Sequence, residues 1–502
     1  MVTDKVAFVR LPPFLGYKRP HPQNLVWPLE AGHMATVLDR LGHEVVVIDA
    51  WVDRLTPDGT AARIVDARPD VVAIETATPT VGLARQIIHS AKSRHPFIAI
   101  AHGQHATAMP ETVLKDGCFL ACIEGEGERT LPELLSALAR GGRREEVPGV
   151  AWYDGGILRR SQPRGLIEDL DSLPFLDYAL LPRRHYYMAS TTVPRFRRQR
   201  WGFMMSSRGC PFRCIYCSPT LRLSYGSKYR AHSAEYVVDN CEYLARGHGA
   251  NALMFLDDVF TFDRERTLRI CALLRRRRLG VPWVCQTRAD CLDPALVREM
   301  RDAGCVGVCM GVESGSERIL KVLHKDMTKS QIRGVVAALH EVGISPTLFF
   351  MVGNPTETYA EFQETVRFVR ELKPLVAQVA YFTPYPGSPV FEELQRRSPA
   401  SVGDEMFHWY SHYNSPSFNF SAMPDDVFRR LQSEFYKGYY LSPGYVRAYA
   451  MRRLPYMMFS PQQEWALIRG AIAFLLRREP RRPVGREAGR PAGRDAGGGC
   501  HA

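Results

Sequence analysis

Three cysteines stand close together near the middle of the chain, in the segment SSRGCPFRCIYCSPT. Cys210, Cys214 and Cys217 have the spacing CxxxCxxC. Three thiolates in so short a loop can hold three irons of a [4Fe–4S] cluster and leave the fourth iron open to an outside ligand. Zinc is the alternative, but structural zinc sites take four ligands, usually from two cysteine pairs. Cys241 and Cys271 lie in helical patterns without a partner at metal spacing, so the sequence favours the cluster.

The cysteine loop directly follows the first strand of an alternating strand–helix region that begins at Trp201. Barrel enzymes place their active sites at this carboxyl end of the strands. Six β/α units predict an open barrel rather than a closed barrel of eight. The predicted strands are Phe203–Ser206, Ala252–Leu256, Trp283–Gln286, Val306–Met310, Thr347–Val352 and Val379–Phe382. The predicted helices are Ala234–Arg246, Glu265–Arg278, Pro294–Ala303, Ser330–Val342 and Tyr359–Leu372.

The first part of the chain shows a second alternation of strands and helices. Amphipathic segments such as Leu29–Leu41 and Val81–Ser93 separate short apolar runs, which predicts βαβ units and a doubly wound sheet. The first strand is followed by the Pro-rich loop LPPFLGYKRPHPQN instead of a GxGxxG phosphate loop, and this disfavours a nicotinamide dinucleotide. The predicted strands are Lys5–Val9, Glu44–Ile48, Val71–Ile74 and Phe97–Ala101.

These patterns predict an α/β protein in five parts. Residues 1–140 form a Rossmann-like domain and residues 141–200 a connector, which contains the hairpin-like segment VAWYDGGILRR. Residues 201–389 form a partial TIM-type (β/α)6 barrel, and residues 390–479 a helical, aromatic-rich region. Residues 480–502 are rich in Arg, Gly, Pro and Ala and are expected to be disordered.

Composition and charge exclude several classes of protein. The chain has 502 residues, of which 45% are hydrophobic and 24% charged, so it is neither collagen-like nor wholly disordered. The net charge is +12, and the tail from Arg477 onwards contributes +4 of it, so charge alone does not argue for nucleic acid. The start of the chain lacks an export signal, which predicts a cytoplasmic protein whose cysteines are reduced.

Residues 201–389 resemble the radical S-adenosylmethionine (SAM) superfamily. CPFRCIYC matches its CxxxCxφC signature, with Tyr216 as the aromatic residue. The segments MFLDDVFTFD, WVCQTRAD, GVESGSERIL and GNPTET continue the match. The family binds a low-potential cluster through the three cysteines, and SAM chelates the open iron. An electron from the cluster then cleaves SAM to methionine and a 5′-deoxyadenosyl radical.

The resemblance implies roles for further residues of the barrel. Tyr216 would lie beside the adenine, and Asp257, Arg288 and Glu313 would hold the methionine part or the ribose. Gly353 and Pro355 would shape the adenine pocket. Purely structural roles stay open: Asp257 could cap a turn, Arg288 could form a salt bridge of the barrel, and Gly353 could simply turn the chain.

The first domain resembles the cobalamin-binding domain that precedes the barrel in many radical SAM methylases. The resemblance lies in WPLEAGHMATVLDRLGHEVVVIDAW, RPDVVAIETATPT, IAIAHGQHATAMPE and CIEGEGERTLPELL. It implies that Thr76 and Thr78 offer hydroxyls to cobalamin and that Gly103 and Gly125 allow the macrocycle to approach the backbone. The DxHxxG motif is absent, which implies a base-off cobalamin without a histidine ligand. A domain that has lost cobalamin is the alternative.

The combined resemblance implies a cobalamin-dependent radical SAM C-methyltransferase. It would transfer the methyl group of SAM through methylcobalamin to an unactivated carbon of a small-molecule, natural-product intermediate, as in antibiotic biosynthesis. The alternatives are oxidative cyclisation or rearrangement, as in the anaerobic porphyrin-ring cyclases, and a scaffold that uses its cluster structurally. A tRNA-modifying methylthiotransferase is disfavoured, because the first domain has only Cys118 and Cys122 where that family binds a second cluster.

The expected partners are a small-molecule substrate and a low-potential electron donor of the flavodoxin or ferredoxin type, without nucleic acid. The aromatic segments HWYSHYNSPSFNF and EFYKGYYLSPGYVRAYAMRRLPYMMF could line a substrate pocket, but such stripes more often pack helices. The segment Trp465–Leu476 and the basic tail could lie on an anionic membrane surface. A terminal helix packed on the barrel is favoured over that association.

Overall fold

The computed structural model describes residues 5–12, 24–182, 186–188, 200–217, 223–397, 403, 407 and 418–459. The strands of this part are β1 (Lys5–Arg10), β2 (Asn24–Leu25), β3 (Glu44–Asp49), β4 (Val71–Glu75), β5 (Ile98–His102), β6 (Ala121–Ile123), β7 (Val150–Asp154), β8 (Ile157–Arg160), β9 (Tyr187–Met188), β10 (Trp201–Met204), β11 (Ser207–Arg208), β12 (Arg230–Ala231), β13 (Ala252–Phe255), β14 (Trp283–Thr287), β15 (Cys305–Glu313), β16 (Ser345–Val352) and β17 (Val376–Tyr381).

The α-helices of the same part include the seven segments that the sequence predicted, together with others that it did not. They are α1 (Leu29–Arg40), α2 (Pro57–Ala67), α3 (Val81–Lys92), α4 (Gln104–Ala108), α5 (Pro110–Leu114), α6 (Gly127–Ala139), α7 (Ala234–Glu242), α8 (Arg264–Arg277), α9 (Pro294–Asp302), α10 (Glu317–Val322), α11 (Lys329–Glu341), α12 (Tyr359–Leu372), α13 (Pro389–Arg397), α14 (Asp425–Phe428), α15 (Leu431–Tyr440) and α16 (Pro443–Phe459). Helices α7 to α12 each begin at a Ser, Thr or Asp whose side chain accepts a hydrogen bond from the first turn.

The first sheet has the strand order β3-β1-β4-β5-β6-β7-β8. Its first five strands are parallel, and helices pack on both faces, which confirms the doubly wound domain. The strand order changes direction between β1 and β4, and ligands of such sheets bind beside that point at the carboxyl edge. The hairpin β7–β8, which the sequence assigned to the connector, pairs antiparallel with β6 and extends this sheet. We therefore propose that the first domain continues to Arg160.

The second sheet has the order β10-β13-β14-β15-β16-β17, and all five pairings are parallel. Each predicted barrel strand lies within two or three residues of an observed one, and the sheet has the six strands of the predicted open barrel. The outer face packs on helices α7 to α12. The inner face, with Phe203 and Met254, packs on Leu29 of the first domain and on Leu176 and Leu181 of the connector. The two domains therefore meet at an apolar cluster of their own, separate from the cores on the two faces of the first sheet and on the outer face of the second.

The edge strand β17 is covered by tyrosines of helix α15. The Tyr440 hydroxyl accepts a hydrogen bond from the Ala377 backbone N–H (2.9 Å) and donates one to the Ala377 carbonyl (2.8 Å). Tyr436, one helical turn earlier, does the same at Val379 (3.1 and 3.3 Å). Four helical residues span about the same length as two strand residues, so the hydroxyls match the outward-facing groups of the edge. This part of the aromatic-rich region is thus packing and edge protection.

Other C-terminal predictions fall outside the described residues, namely the segment Trp465–Leu476, the tail 480–502 and most of HWYSHYNSPSFNF. Within the ranges that the structure describes, no helix has both the length and the apolar composition needed to cross a membrane.

We predict that Tyr440→Phe weakens the edge of the barrel. The substitution leaves the N–H and C=O of Ala377 unpaired, which costs about 1–2 kcal/mol. Amide exchange measured by mass spectrometry on Val376–Tyr381 should become about tenfold faster. Tyr236→Phe is the control, because its hydroxyl donates to the Leu173 carbonyl of the connector (2.9 Å) and not to β17 or α15. Equal exchange in the two variants would contradict the edge role.

Candidate functional site

The cysteine loop begins where the short antiparallel pair β11–β12 ends. Gly209 has a φ of +84°, and a Cβ there would collide with the carbonyl of Lys228, so only glycine fits between strand and loop. Farther along, the Ile215 N–H donates to the Leu323 carbonyl (3.2 Å) and the Cys217 N–H to the Cys214 carbonyl (3.3 Å). Backbone bonds therefore fix the loop at the carboxyl end of β10, where the sequence predicted it.

The three thiols of the loop face one another. Burial, followed by the neighbouring Cys210 and Cys214, raises the pKa of Cys217 to about 12. Burial also raises the pKa of Cys210. The three thiols therefore lie within electrostatic range of one another, and three thiolates from one short loop are the ligands that an iron–sulfur cluster takes.

The partly buried Tyr216, the buried Glu313 and a residue that the sequence analysis missed, the buried Lys325, form a triad beside the loop. The Tyr216 hydroxyl donates to Glu313 Oε1 (3.0 Å), and Lys325 Nζ lies 3.0 Å from both of these oxygens. Glu313 has a φ of +68° at a register shift of β15, which turns its carboxylate towards Lys325. Non-glycine residues adopt this conformation rarely and often at functional sites. The triad joins the cysteine loop to the end of β15.

Arg288 is 4% exposed and lies against the same loop. Its guanidinium binds both carboxylate oxygens of Asp290 (2.9 and 2.8 Å) and the Lys325 carbonyl (2.6 Å). Nη1 lies 3.4 Å from Cys214 Sγ, and the ring of Phe212 stacks on the guanidinium at 3.7 Å. Its predicted contact with SAM remains a prediction, and the contacts observed are with the loop.

The two aspartates that follow β13 have different surroundings. Asp257 accepts hydrogen bonds from the backbone and hydroxyl of Ser206 (3.1 and 2.7 Å) and from the Ser207 hydroxyl (2.5 Å), so it braces the strand before the cysteines. Burial and then Asp257 raise the pKa of Asp258 to about 7, and Asp258 in turn raises the pKa of Cys210. Asp258 is therefore near enough to Cys210 to affect its pKa, whereas Asp257, which the sequence singled out, binds Ser206 and Ser207.

Gly353 and Pro355 lie in the turn after β16. Gly353 has a φ of +72°, and a Cβ there would collide with the Phe428 ring, so packing against the C-terminal region already requires glycine. Behind the turn, Asn354 Oδ1 and Glu357 Oε1 are buried without a hydrogen-bond partner. Burial raises the pKa of Glu357 to about 7. The predicted adenine contact at this turn remains a prediction.

In the first domain, the predicted cobalamin residues gather at the carboxyl edge of the sheet. Thr76 Oγ1 donates to the His102 carbonyl (2.9 Å) and accepts from the Ala106 N–H (3.1 Å). Thr78 Oγ1 lies 3.2 Å from His105 Nδ1. These hydroxyls hold the loops in place, and their contact with cobalamin remains a prediction.

The same edge has features that fit a flat macrocycle. Gly103 and Gly125 have φ values of +93° and +80°, and the nearest atom to a Cβ at Gly125 is the Ser224 carbonyl at 3.7 Å. Next to Gly103, the Nδ1–H of His102 donates to Glu30 Oε1 (3.1 Å), while its buried Nε2 has no partner. Backbone without side chains together with an unpaired buried nitrogen suits a polar cofactor better than a closed core.

A buried ion-pair network joins this edge to the cysteine loop. Arg208, two residues before the first cysteine, binds Glu126 (2.8 Å) and Glu128 (2.5 Å) at the start of helix α6. Arg230 of β12 also binds Glu126 (3.0 Å), which in addition accepts from the Ile167 N–H (2.7 Å). All four charged side chains are at most 5% exposed. The sequence showed the EGEGE segment but gave no sign of its partners.

We predict that Arg208→Met destabilises the protein by about 3–5 kcal/mol at neutral pH, because it leaves the buried carboxylate of Glu128 without its cation. The difference in the free energy of unfolding between the wild type and the variant should become smaller as the pH falls. Burial tends to raise the pKa of Glu128, but in the wild type the charge and hydrogen bond of Arg208 outweigh it and lower that pKa. Loss of Arg208 removes the largest contributions that lower this pKa, so burial raises the pKa of Glu128 in the variant, which then gains stability on acidification. Burial and then Arg208 lower the pKa of His33 to about 4. Loss of Arg208 should raise this pKa, which also makes the variant less unfavourable relative to the wild type as the pH falls.

Calorimetric melting of both proteins between about pH 7.5 and pH 5.5 would measure this narrowing. Arg269→Met is the control, because its ion pair with Glu235 (2.7 Å) is solvent-exposed. A deficit that is constant over the pH range would show that the network does not control Glu128.

Comparisons with known proteins agree with this geometry. Family models for the B12 binding domain and for the radical SAM superfamily match residues 22–135 and 204–369. An uncharacterized methyltransferase of Pyrococcus horikoshii is 32% identical over 367 residues, which are 73% of this chain and 78% of the relative. An anaerobic magnesium-protoporphyrin IX monomethyl ester cyclase of Rubrivivax gelatinosus is 30% identical over 382 residues, 73% of this chain and 66% of the cyclase.

Among solved structures, the radical SAM methyltransferase TsrM of Kitasatospora setae, with cobalamin and a [4Fe–4S] cluster bound, has a TM-score of 0.62 and 20% identity. The similarity covers 78% of this chain and 75% of TsrM, and it confirms the predicted fold. The protein therefore belongs to the cobalamin-dependent radical SAM methyltransferase family, whose members use a [4Fe–4S] cluster, SAM and cobalamin.

Proposed function

We propose that this enzyme is a C-methyltransferase that moves the methyl group of SAM, by way of bound cobalamin, to an unactivated carbon of a small-molecule biosynthetic intermediate. The observation that carries the proposal is the buried network of Arg208, Glu126 and Glu128. It fixes the carboxyl edge of the first sheet against the strand that leads into the cysteine loop. Cobalamin held at the edge with Gly103 and Gly125, and SAM held at the cysteine loop, would then both be able to reach one substrate carbon.

When bound, the cluster supplies the electron that cleaves SAM, and cobalamin supplies a metal centre that carries a methyl group. The protein side chains provide position and exclusion of water. Cys210, Cys214 and Cys217 would hold three irons, and Tyr216 and Glu313, fixed by Lys325, would line the side on which SAM binds. In the first domain, Gly103 and Gly125 would admit the macrocycle.

The proposal extends to the partners of the reaction. A low-potential donor of the flavodoxin or ferredoxin type would reduce the cluster, and the substrate would be an intermediate of antibiotic or similar biosynthesis. Oxidative cyclisation without methyl transfer is a second candidate, because the relative from Rubrivivax gelatinosus, at 30% identity, is named as a cyclase.

The two candidates differ in what they make from SAM. Anaerobically reconstituted enzyme is incubated with cobalamin, a strong reductant and SAM, and the nucleoside products are measured by mass spectrometry. We expect both 5′-deoxyadenosine and S-adenosylhomocysteine, the latter only when cobalamin is present. Formation of 5′-deoxyadenosine alone would favour the cyclase, and the absence of both products would reject both candidates.

We predict that Cys214→Ala loses cluster iron and reduces release of 5′-deoxyadenosine to background, because two thiolates cannot replace three in holding the cubane. Cys271→Ala is the matched control, since this thiol is buried on helix α8. Iron content and the absorption spectrum after reconstitution provide the measurement. An unchanged spectrum in Cys214→Ala would remove the cluster from this loop.

A further inference from the structure

The guanidinium of Arg288 is held on all sides by protein atoms. Nε and Nη2 face the carboxylate of Asp290, Nη2 also donates to the Lys325 carbonyl, and Nη1 approaches Cys214 Sγ at 3.4 Å. The ring of Phe212, which lies between the first two cysteines, covers one face at 3.7 Å. Four of the five N–H donors therefore have partners in the protein.

The Asp290 carboxylate and the Cys214 thiol lie at different edges of the Arg288 guanidinium. Asp290 binds the edge of the guanidinium away from the thiol, and its side chain is 18% exposed, whereas that of Arg288 is 5% exposed. Water therefore screens the negative end of the pair more than the positive end. The positive end points at Cys214, in surroundings where electrostatic interactions are stronger than in water.

We propose that Arg288 is a redox-tuning and positioning residue of the iron–sulfur centre rather than a ligand of the methionine carboxylate of SAM. Its Nη1–H donates a hydrogen bond to the Cys214 sulfur, and its buried charge stabilises the more negative, reduced state of the cluster. Hydrogen bonds to sulfur and nearby charge are among the factors that set such potentials. The inference depends on the proposed role of Cys214 as a cluster ligand.

The observed geometry favours this role over SAM binding. If Arg288 bound the carboxylate of SAM, it would use two paired N–H groups of its guanidinium, as arginine usually does with carboxylates. Asp290 already occupies that fork with two hydrogen bonds (2.9 and 2.8 Å). Lys325 is close by, but its charge is paired with Glu313 at 3.0 Å. Arg288, by contrast, directs its Nη1–H at the sulfur of Cys214 (3.4 Å).

Two substitutions should shift the midpoint potential of the cluster in opposite directions. Arg288→Gln removes the positive charge and should make the potential more negative. Asp290→Asn leaves Arg288 in place but removes its counter-charge and should make the potential less negative. A purely structural loosening of the loop would not reverse sign between the two. In both variants the affinity for SAM should stay within about twofold of the wild type.

The test is an EPR-monitored redox titration of anaerobically reconstituted full-length enzyme, together with equilibrium binding of SAM. Arg333→Gln is the control for net charge, because Arg333 pairs with Glu371 on an outer helix and its side chain is 48% exposed. Its midpoint should equal that of the wild type. If Arg288→Gln does not retain its cluster, the direction in which Asp290→Asn shifts the midpoint potential, compared with the control, still tests the inference.

Unchanged midpoints in Arg288→Gln or Asp290→Asn would overturn the inference, and an accompanying loss of about tenfold or more in SAM affinity would assign Arg288 to SAM instead. These outcomes leave the proposed function intact, since the wild type would still form a cluster. A wild-type protein that forms no cluster would instead reject the proposed function itself.

Discussion

The relative position of the two domains depends on the buried contact of Arg208 with Glu126 and Glu128. Arg208 and Arg230 are directly opposite each other in the antiparallel pair β11–β12, and two like charges in that position repel. Glu126 binds both guanidinium groups and so makes the pairing of these strands favourable. The short strands that lead into the cysteine loop are thus stabilised by a carboxylate of the other domain.

Placing four charges where water does not reach them costs desolvation energy, and an apolar contact of equal size would do as well for stability alone. What the network provides instead is a fixed relative position of the groups that it joins. Glu126 and Glu128 lie at the start of helix α6, where backbone N–H groups also favour negative charge. The loop containing Gly125 and the cysteine loop are therefore fixed with respect to each other. A shift of a few ångströms between two reactive centres would be costly for catalysis.

The sequence predicts the local structure well because apolar periodicity and capping residues are local signals. Helix α12 lies at the predicted Tyr359–Leu372, and the predicted strands overlap β13 to β17 closely. Contacts between distant residues leave no such signal. Lys325 follows a short helix and looks like a surface residue until β15 brings Glu313 to it, and Phe212 gives no hint that it stacks on Arg288. The division of work between Asp257 and Asp258 likewise depends on which of them faces Ser206.

The hairpin β7–β8 and the tyrosines of α15 show the same limit in a different way. A hairpin pattern predicts two paired strands but not the sheet that they join, and a stripe of tyrosines predicts a packed helix but not the hydrogen bonds of its hydroxyls. Both features lie at the edge of an open sheet, where backbone N–H and C=O groups would otherwise be exposed. The first sheet ends in an antiparallel hairpin, and the open barrel ends at a strand whose free N–H and C=O groups bind Tyr436 and Tyr440. Covering the edge at β17 lets the barrel stop at six strands and keep the carboxyl ends of those strands facing the first domain.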